Sequence, residues 1–375
     1  MRVYKGTLTL IGPVFIGSDT KSEKLEKKEY IFNFKNKKVI IPKLDKMYYF
    51  LQKNDLAEEY ENFMLNEKKD LGYWLREHKI KNEDINKWTK YELDCGDAIF
   101  ENKNKSMQII PFIKDAYGKP YIPGSSIKGM LRTILLCYDI LNNKNKEKYI
   151  NLIQSSKFAT GKKVKRKDYL TRETKKIEQQ VFNKANRSKK IGDMTNDILG
   201  GLIISDSDPL SVSDLVLCQK LEYHIDGKIK SLNLLRECIK PKTKVNFTIT
   251  IDESICPYTK EYINEGILAF SNLVNSLFIE KFNKIEQYPS PTVWLGGGAG
   301  YLSKTITYAM YEEEGVKIVK NIFDNTGVPR NHNHHLDLRL GVSPHILKMT
   351  KYEGKQYQFG QCTLQLEEKN ITLKD

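Results

Sequence analysis

No CxxC pair, no close Cys/His spacing and no apolar run of membrane length occurs in this 375-residue chain. The six cysteines, Cys95, Cys137, Cys218, Cys238, Cys256 and Cys362, are scattered. That spacing excludes a zinc finger or a thioredoxin-like motif and reads as reduced, buried thiols. The longest apolar stretches, Met130–Tyr138 and Ile198–Ile204, fall far short of the roughly 18 residues a spanning helix needs. The opening Met1-Arg-Val-Tyr-Lys-Gly6 lacks the apolar core of a secretion signal, so the expected location is cytoplasmic. Asp19, Asp94 and Asp97 are lone carboxylates, and no nucleophile stands beside a base at a recognisable spacing. The expectation is therefore no catalytic residue, no cofactor and no membrane partner.

What the chain has is positive charge. Sixty-one Lys and Arg against 47 Asp and Glu leave +14, the balance of a protein with a polyanionic partner or of a well-solvated Lys-rich surface. Lys157 to Lys190 alone holds thirteen cations against three acids, so most of the net charge is local. Within it, Gly161-Lys-Lys-Val-Lys-Arg-Lys167 shows no hydrophobic period and reads as a basic loop. Lys163 and Arg166 are its candidate phosphate contacts.

Elsewhere, strand-like and helix-like patterns alternate. Val3, Leu8 and Leu10 begin a strand that breaks at Gly12-Pro13, and two short runs around Lys35–Lys38 form a hairpin. Residues 44–90 have helical period, as do Ile127–Leu141 and Tyr262–Phe282, while Leu199–Ser205 and Lys244–Ile251 read as strands. The pattern predicts an α+β sheet with helices on one side.

Two motifs carry chemistry. In Tyr121-Ile-Pro-Gly-Ser-Ser-Ile-Lys-Gly129, Pro123-Gly124 ends an extended entry and Ser125 or Ser126 can cap the helix that follows. Lys128 and Arg132 stand one turn apart at that end, so amide donors and two cations could share one phosphate; a capped surface helix is the plainer reading. The GxxxxG spacing recurs here, but Met130-Leu131 replace the Lys and Ser/Thr of a nucleotide-binding loop. In Trp294-Leu-Gly-Gly-Gly-Ala-Gly-Tyr301, glycines 296, 297, 298 and 300 (Gly296, Gly297, Gly298 and Gly300) let a backbone lie against a ligand, with Tyr301 as a stacking ring and Lys304 as a charge; a flexible hinge is the alternative. The run His332-Asn-His-His335 reads as solvated or phosphate-contacting, with His335 a candidate phosphate contact and no metal expected.

The order of these motifs, Gly12-Pro-Val-Phe-Ile-Gly17, then Ile122-Pro-Gly-Ser-Ser-Ile-Lys-Gly129, then the late glycine loop, resembles the RAMP superfamily of CRISPR proteins. The run Leu340–Tyr352 and the strand-like Tyr357–Leu366 are similar to the capping subunits of type III-A (Csm) effector complexes. The resemblance implies a ferredoxin-like (RRM-like) fold in two units. The first, 1–210, would carry a helical insertion at about 44–110 and a basic loop at about 155–192; the second, 211–375, would carry the glycine loop. It also implies binding of the 3′ part of the CRISPR RNA and contact with the backbone RAMP subunit and the small helical subunit, with host maturation nucleases as further candidates. Backbone subunits carry a catalytic aspartate after the first strand; Asp19, the acid in that stretch here, has no match, so a non-catalytic RNA-binding subunit is expected. The alternatives are a metal-independent endoribonuclease using a loop histidine such as His332 or His335, and a pure scaffold.

Overall fold

A computed structural model describes residues 1–18, 24–98, 107–142, 146–152, 166–282, 285–301, 303, 305–326 and 334–369. Thirteen strands are described: β1 (Arg2–Leu10), β2 (Ile31–Asn33), β3 (Lys38–Pro42), β4 (Thr89–Asp94), β5 (Gln108–Ile110), β6 (Leu202–Ile204), β7 (Leu215–His224), β8 (Ile229–Ile239), β9 (Lys244–Ile251), β10 (Val293–Trp294), β11 (Ile346–Tyr352), β12 (Lys355–Gln358) and β13 (Gln361–Glu368). The helices are α1–α4 (Leu44–Lys53, Ala57–Asn66, Leu71–Glu77, Asn82–Lys87), α5 (Gly124–Asn142), α6 (Lys146–Leu152), α7 (Arg166–Phe182), α8 (Lys260–Leu277), α9 (Thr307–Tyr311), α10 (Gly315–Asn325) and α11 (Asp337–Leu340).

Two sheets organise the chain. The first has the order β10-β13-β1-β9-β6; the second runs β12-β11-β7-β4-β3-β2, with β8 beside β7 and β5 beside β8. β1 lies in the middle of the first sheet because its alternation gives it one buried face: Tyr4, Leu8 and Leu10 point inward while Arg2 and Lys5 point out. Its antiparallel partners come from the second half of the sequence, with Leu8 opposite Leu364 on one side and Val245 on the other. The expected boundary at 210 therefore does not separate the sheets, since strands from both halves of the chain share each one.

Helices α5 and α8 pack on each other and on the first sheet. Gly266 of α8 faces Tyr138 and Ile134 of α5 at this contact. Helices α1–α4 close a second apolar cluster around Met47, Phe63, Trp74 and Trp88 against Ile31 and Ile40 of the hairpin. They fill the first part of the span expected for a helical insertion, and β4 and β5 fall in the rest of it. The basic segment differs more from the expectation. From residue 166 it is helical, and Ile177, Val181 and Phe182 bury the inner face of α7. Their spacing, four residues and then one, is half a helical stripe diluted by cations, which masked it in the sequence. Lys163 lies outside the described residues, as does the side chain of Arg166.

One buried carboxylate ties the second sheet to the loop before α5. Glu237 of β8 is fully buried and accepts from Lys114 Nζ at 2.5 Å, Tyr91 Oη at 2.7 Å and the Phe112 amide at 2.9 Å. Three donors satisfy a charge that would otherwise be costly in the interior. Glu237→Ala strands the Lys114 ammonium there and should destabilise the protein by roughly 3–5 kcal/mol, read as a lower denaturant midpoint at unchanged slope. A loss below about 1 kcal/mol, the level of a surface ion pair, would show the cluster to be peripheral to stability.

Candidate nucleic-acid interface

The break after β1 positions the glycine loop. Past Gly12-Pro13 the chain crosses between sheets: Val14 and Ile239 of β8 exchange backbone hydrogen bonds at 3.2 and 2.8 Å. The Phe15 carbonyl then accepts from the Gly297 amide at 2.8 Å, the Gly360 amide donates to Pro13, and the Gly360 carbonyl accepts from Leu295. A Cβ at Gly296, where φ is +83°, would lie 2.2 Å from the Phe15 carbonyl oxygen. No side chain fits between these backbones, so the glycine there is a requirement of packing as well as of conformation. The hinge alternative does not describe a loop bonded on both sides.

Under this loop lies a group the sequence reading missed. Arg236, projecting from β8, places its guanidinium 4.8 Å from the centroid of Phe15 and 5.9 Å from that of Phe359. A Cβ at Gly298, φ +96°, would fall 2.1 Å from its Nη1. Nε and Nη1 are buried and have no hydrogen-bond partner among the described residues. Burial pushes the Arg236 pKa below its ordinary value. Beside it, burial, together with Lys348 and Arg236, pushes Lys220 of β7 down to about 8. Lys348 passes beneath Gly300, 3.3 Å from where a Cβ would be, and donates to Glu222 at 2.5 Å. Burial works against the Glu222 charge, but Lys348 and Lys220 hold its carboxyl below the usual range. Lys220 and Lys348 thus face one carboxylate, with Arg236 beside them, below a half-buried glycine loop. A signal was present: Arg236 is a lone cation among Leu234, Leu235, Cys238 and Ile239, in a strand the periodicity analysis passed over.

The helix motif is built differently from the expectation. Helix α5 begins at Gly124, so Ser125 and Ser126 lie in its first turn and do not cap it. The Gly124 amide donates to the Asp206 carboxylate at 2.8 Å, which places a protein anion at the expected phosphate position. Arg132 donates to Asp197 at 2.7 Å and Glu178 at 3.0 Å, and its guanidinium stacks 4.7 Å from the Phe182 centroid. Burial opposes that charge, yet the two carboxylates hold it above its ordinary value. Lys128 is half-buried nearby; burial lowers its pKa, with Arg132 acting the same way and Asp197 opposing. The motif therefore anchors α7 and the turn at 197 to α5, a use that sequence spacing could not reveal because both acids are distant in the chain.

The other candidates separate. Tyr301 turns inward, edge-on to Phe323 at 5.8 Å, with its hydroxyl 3.0 Å from that of Thr307, so it is not a free stacking face. Lys304, Asp19 and His332 lie outside the described residues. His335 is exposed, whereas His334 is buried with Nδ1 3.0 Å from Asp337. His345 Nδ1 meets the other oxygen of the same carboxylate at 2.6 Å, and Ser343 also donates to it. The ligand-type atoms of His334, Asp337 and His345 lie within 4.8 Å of one another, a grouping the histidine run did not foretell because Asp337 and His345 fall outside it. Burial opposes the Asp337 charge, but these three hydrogen bonds keep its pKa below the usual value.

A profile of the RAMP superfamily matches residues 7–303. The chain belongs to that superfamily. It is 28% identical over 398 residues to "CRISPR system Cms protein Csm5" of Mycobacterium tuberculosis, covering 98% of both chains. It is 29% identical to the Streptococcus thermophilus protein of the same name, over 81% of this chain and 80% of that one. A chain of the cryo-EM structure of a Csm-crRNA-target RNA ternary complex of a type III-A CRISPR-Cas system shares the fold, with TM-score 0.65, 17% identity, 96% of this chain and all of that one. The crystal structure of T. onnurineus Csm5 does so with TM-score 0.61 and 15% identity, over 95% and 99%. The expected fold class, α+β of RAMP type, is the one observed.

Two variants check the assignments. Arg132→Ala removes hydrogen bonds to two part-buried acids and should cost roughly 1.5–3 kcal/mol of stability; a neutral result would free Arg132 for another role. For Lys220 the folded pKa of about 8 lies below the ordinary 10.5, so between these values the unfolded chain binds more protons and stability rises with pH. Urea midpoints of the protein should therefore gain on those of Lys220→Met from pH 8 to pH 10; parallel curves would mean Lys220 is not desolvated.

Proposed function

We propose that this chain is a non-catalytic RNA-binding subunit of a type III-A CRISPR effector complex, working in the cytoplasm. It holds the 3′ part of the guide RNA and caps the backbone filament, against a repeated RAMP subunit and the small helical subunit. The observation that carries this reading is the Arg236 guanidinium beneath Gly298, whose buried Nε and Nη1 have no hydrogen-bond partner among the described residues. Leaving such a group unpaired is costly, and a fold keeps that cost where a ligand supplies the missing acceptor. A phosphodiester suits it: the charge is matched by Arg236, Lys220 and Lys348, and the peptide groups of 296–300 let a sugar-phosphate backbone lie close. Nothing in this arrangement needs a reacting group.

Arg236→Met separates this from a structural role. Removing an unpaired buried charge should leave stability unchanged or higher, yet reduce the log–log salt slope of single-strand RNA binding by roughly 0.7 for each phosphate no longer neutralised. Arg132→Ala should leave that slope alone. An unchanged slope and affinity in folded Arg236→Met would overturn the reading. Precursor or guide RNA should stay uncut with or without Mg²⁺; cleavage that tracked the protein through purification and disappeared in His335→Ala would favour the endoribonuclease instead.

A further inference from the structure

A cavity of about 320 Å³, the scale of a small-ligand site, opens among the end of β7, the start of β8 and α11. His224, Lys230, Arg339 and His345 line it, together with Glu222 and Asp226. Both carboxylates are already matched, Glu222 by Lys348 at 2.5 Å and Asp226 by Lys228 at 2.8 Å. Lys230 and Arg339 remain beside the two imidazoles around one small space, and this excess of positive charge favours an anion.

The cavity wall is also held in place. His345 is buried, and its Nδ1 meets Asp337 at 2.6 Å. The fully buried Asp337 is itself fixed by His334 and Ser343. With one ring nitrogen bound in this way, the other is left for the cavity. The His224 ring lies 6.0 Å away between centroids, close enough for one tetrahedral oxyanion to meet both.

We propose that this cavity binds a phosphomonoester, at a site separate from the cradle under the glycine loop. A diester offers two non-bridging oxygens, whereas a monoester offers three and a second negative charge, the better match to four nitrogen-bearing groups. The cavity touches the cradle through one ion pair, since Glu222 lines it and Lys348 passes beneath Gly300. The ligand is thus either the phosphorylated end of an RNA leaving the cradle or a free mononucleotide, and the first source rests on the RNA-binding reading above.

The test uses the full chain and matched single-strand RNAs ending in a 3′-phosphate, a 5′-phosphate or hydroxyls only, with AMP as competitor. One terminal phosphate should tighten binding about tenfold, the effect of one charge-assisted hydrogen bond. Arg339→Ala, at an exposed position, and His345→Gln should each abolish that increment while leaving the hydroxyl-ended RNA bound as before. Arg236→Met should weaken all three RNAs and keep the increment, so failure of the cradle and failure of the cavity are distinguishable. If only AMP binds, and Arg339→Ala abolishes it, the occupant is a free nucleotide. Equal affinity for all three ends together with no measurable AMP binding would overturn the proposal.

Discussion

The close approach of three backbones, at Phe15, at Gly296–Gly297 and at Gly360, is the constraint on which the rest of the arrangement depends. It joins the end of β1 to the rim of both sheets through peptide hydrogen bonds. Because a Cβ at Gly296 would collide with the Phe15 carbonyl, the loop cannot drift outward on a side chain or close over one. The same approach brings the Phe15 and Phe359 rings against Arg236 and fixes the guanidinium below the loop. Packing, not a local hydrogen bond, thus decides where the unpaired cation sits.

Successive residues of β8 show two ways of burying charge. Side chains alternate across a strand, so Arg236 and Glu237 face opposite sides of the second sheet. Glu237 is met by an ammonium, a phenol and an amide. Arg236 meets two aromatic faces and, among the described residues, no acceptor on Nε or Nη1. The first pattern serves stability and the second gives stability up. That contrast within one strand is why the cradle reads as a binding surface, while Arg132, equally cationic and close to a helix start, reads as a structural tie.

The class of fold, the helices α5 and α8, the hairpin and β9 were legible in the sequence, because each has a clear period and a clear end signal. β7 and β8 were not legible as a pair: β7 is buried on both faces and lacks alternation, and β8 mixes Arg236, Glu237 and Asn233 into an apolar run. The site was half legible. The glycines announced a backbone that needs room, but Arg236, Lys220 and Lys348 come together only through β7–β8–β11 pairing, and no local spacing encodes that. The Ser-Ser-Ile-Lys-Gly segment shows the converse. Its local pattern is that of an anion site, and tertiary contacts supply the anions from the protein itself, Asp206 at the helix start and Asp197 with Glu178 at Arg132. A division of the chain at 210 does not follow the sheets, since β1 pairs with strands from the far end of the chain.

The most direct test of the account is photo-crosslinking of single-strand RNA carrying 4-thiouridine to the intact protein, with the joined peptides identified by mass spectrometry. The account predicts adducts on the peptides that carry Gly296–Tyr301 and the Lys220–Arg236 strands, suppressed when unlabelled RNA competes. Adducts confined to the start of α5 or to helices α1–α4, with the glycine loop unmarked, would contradict it.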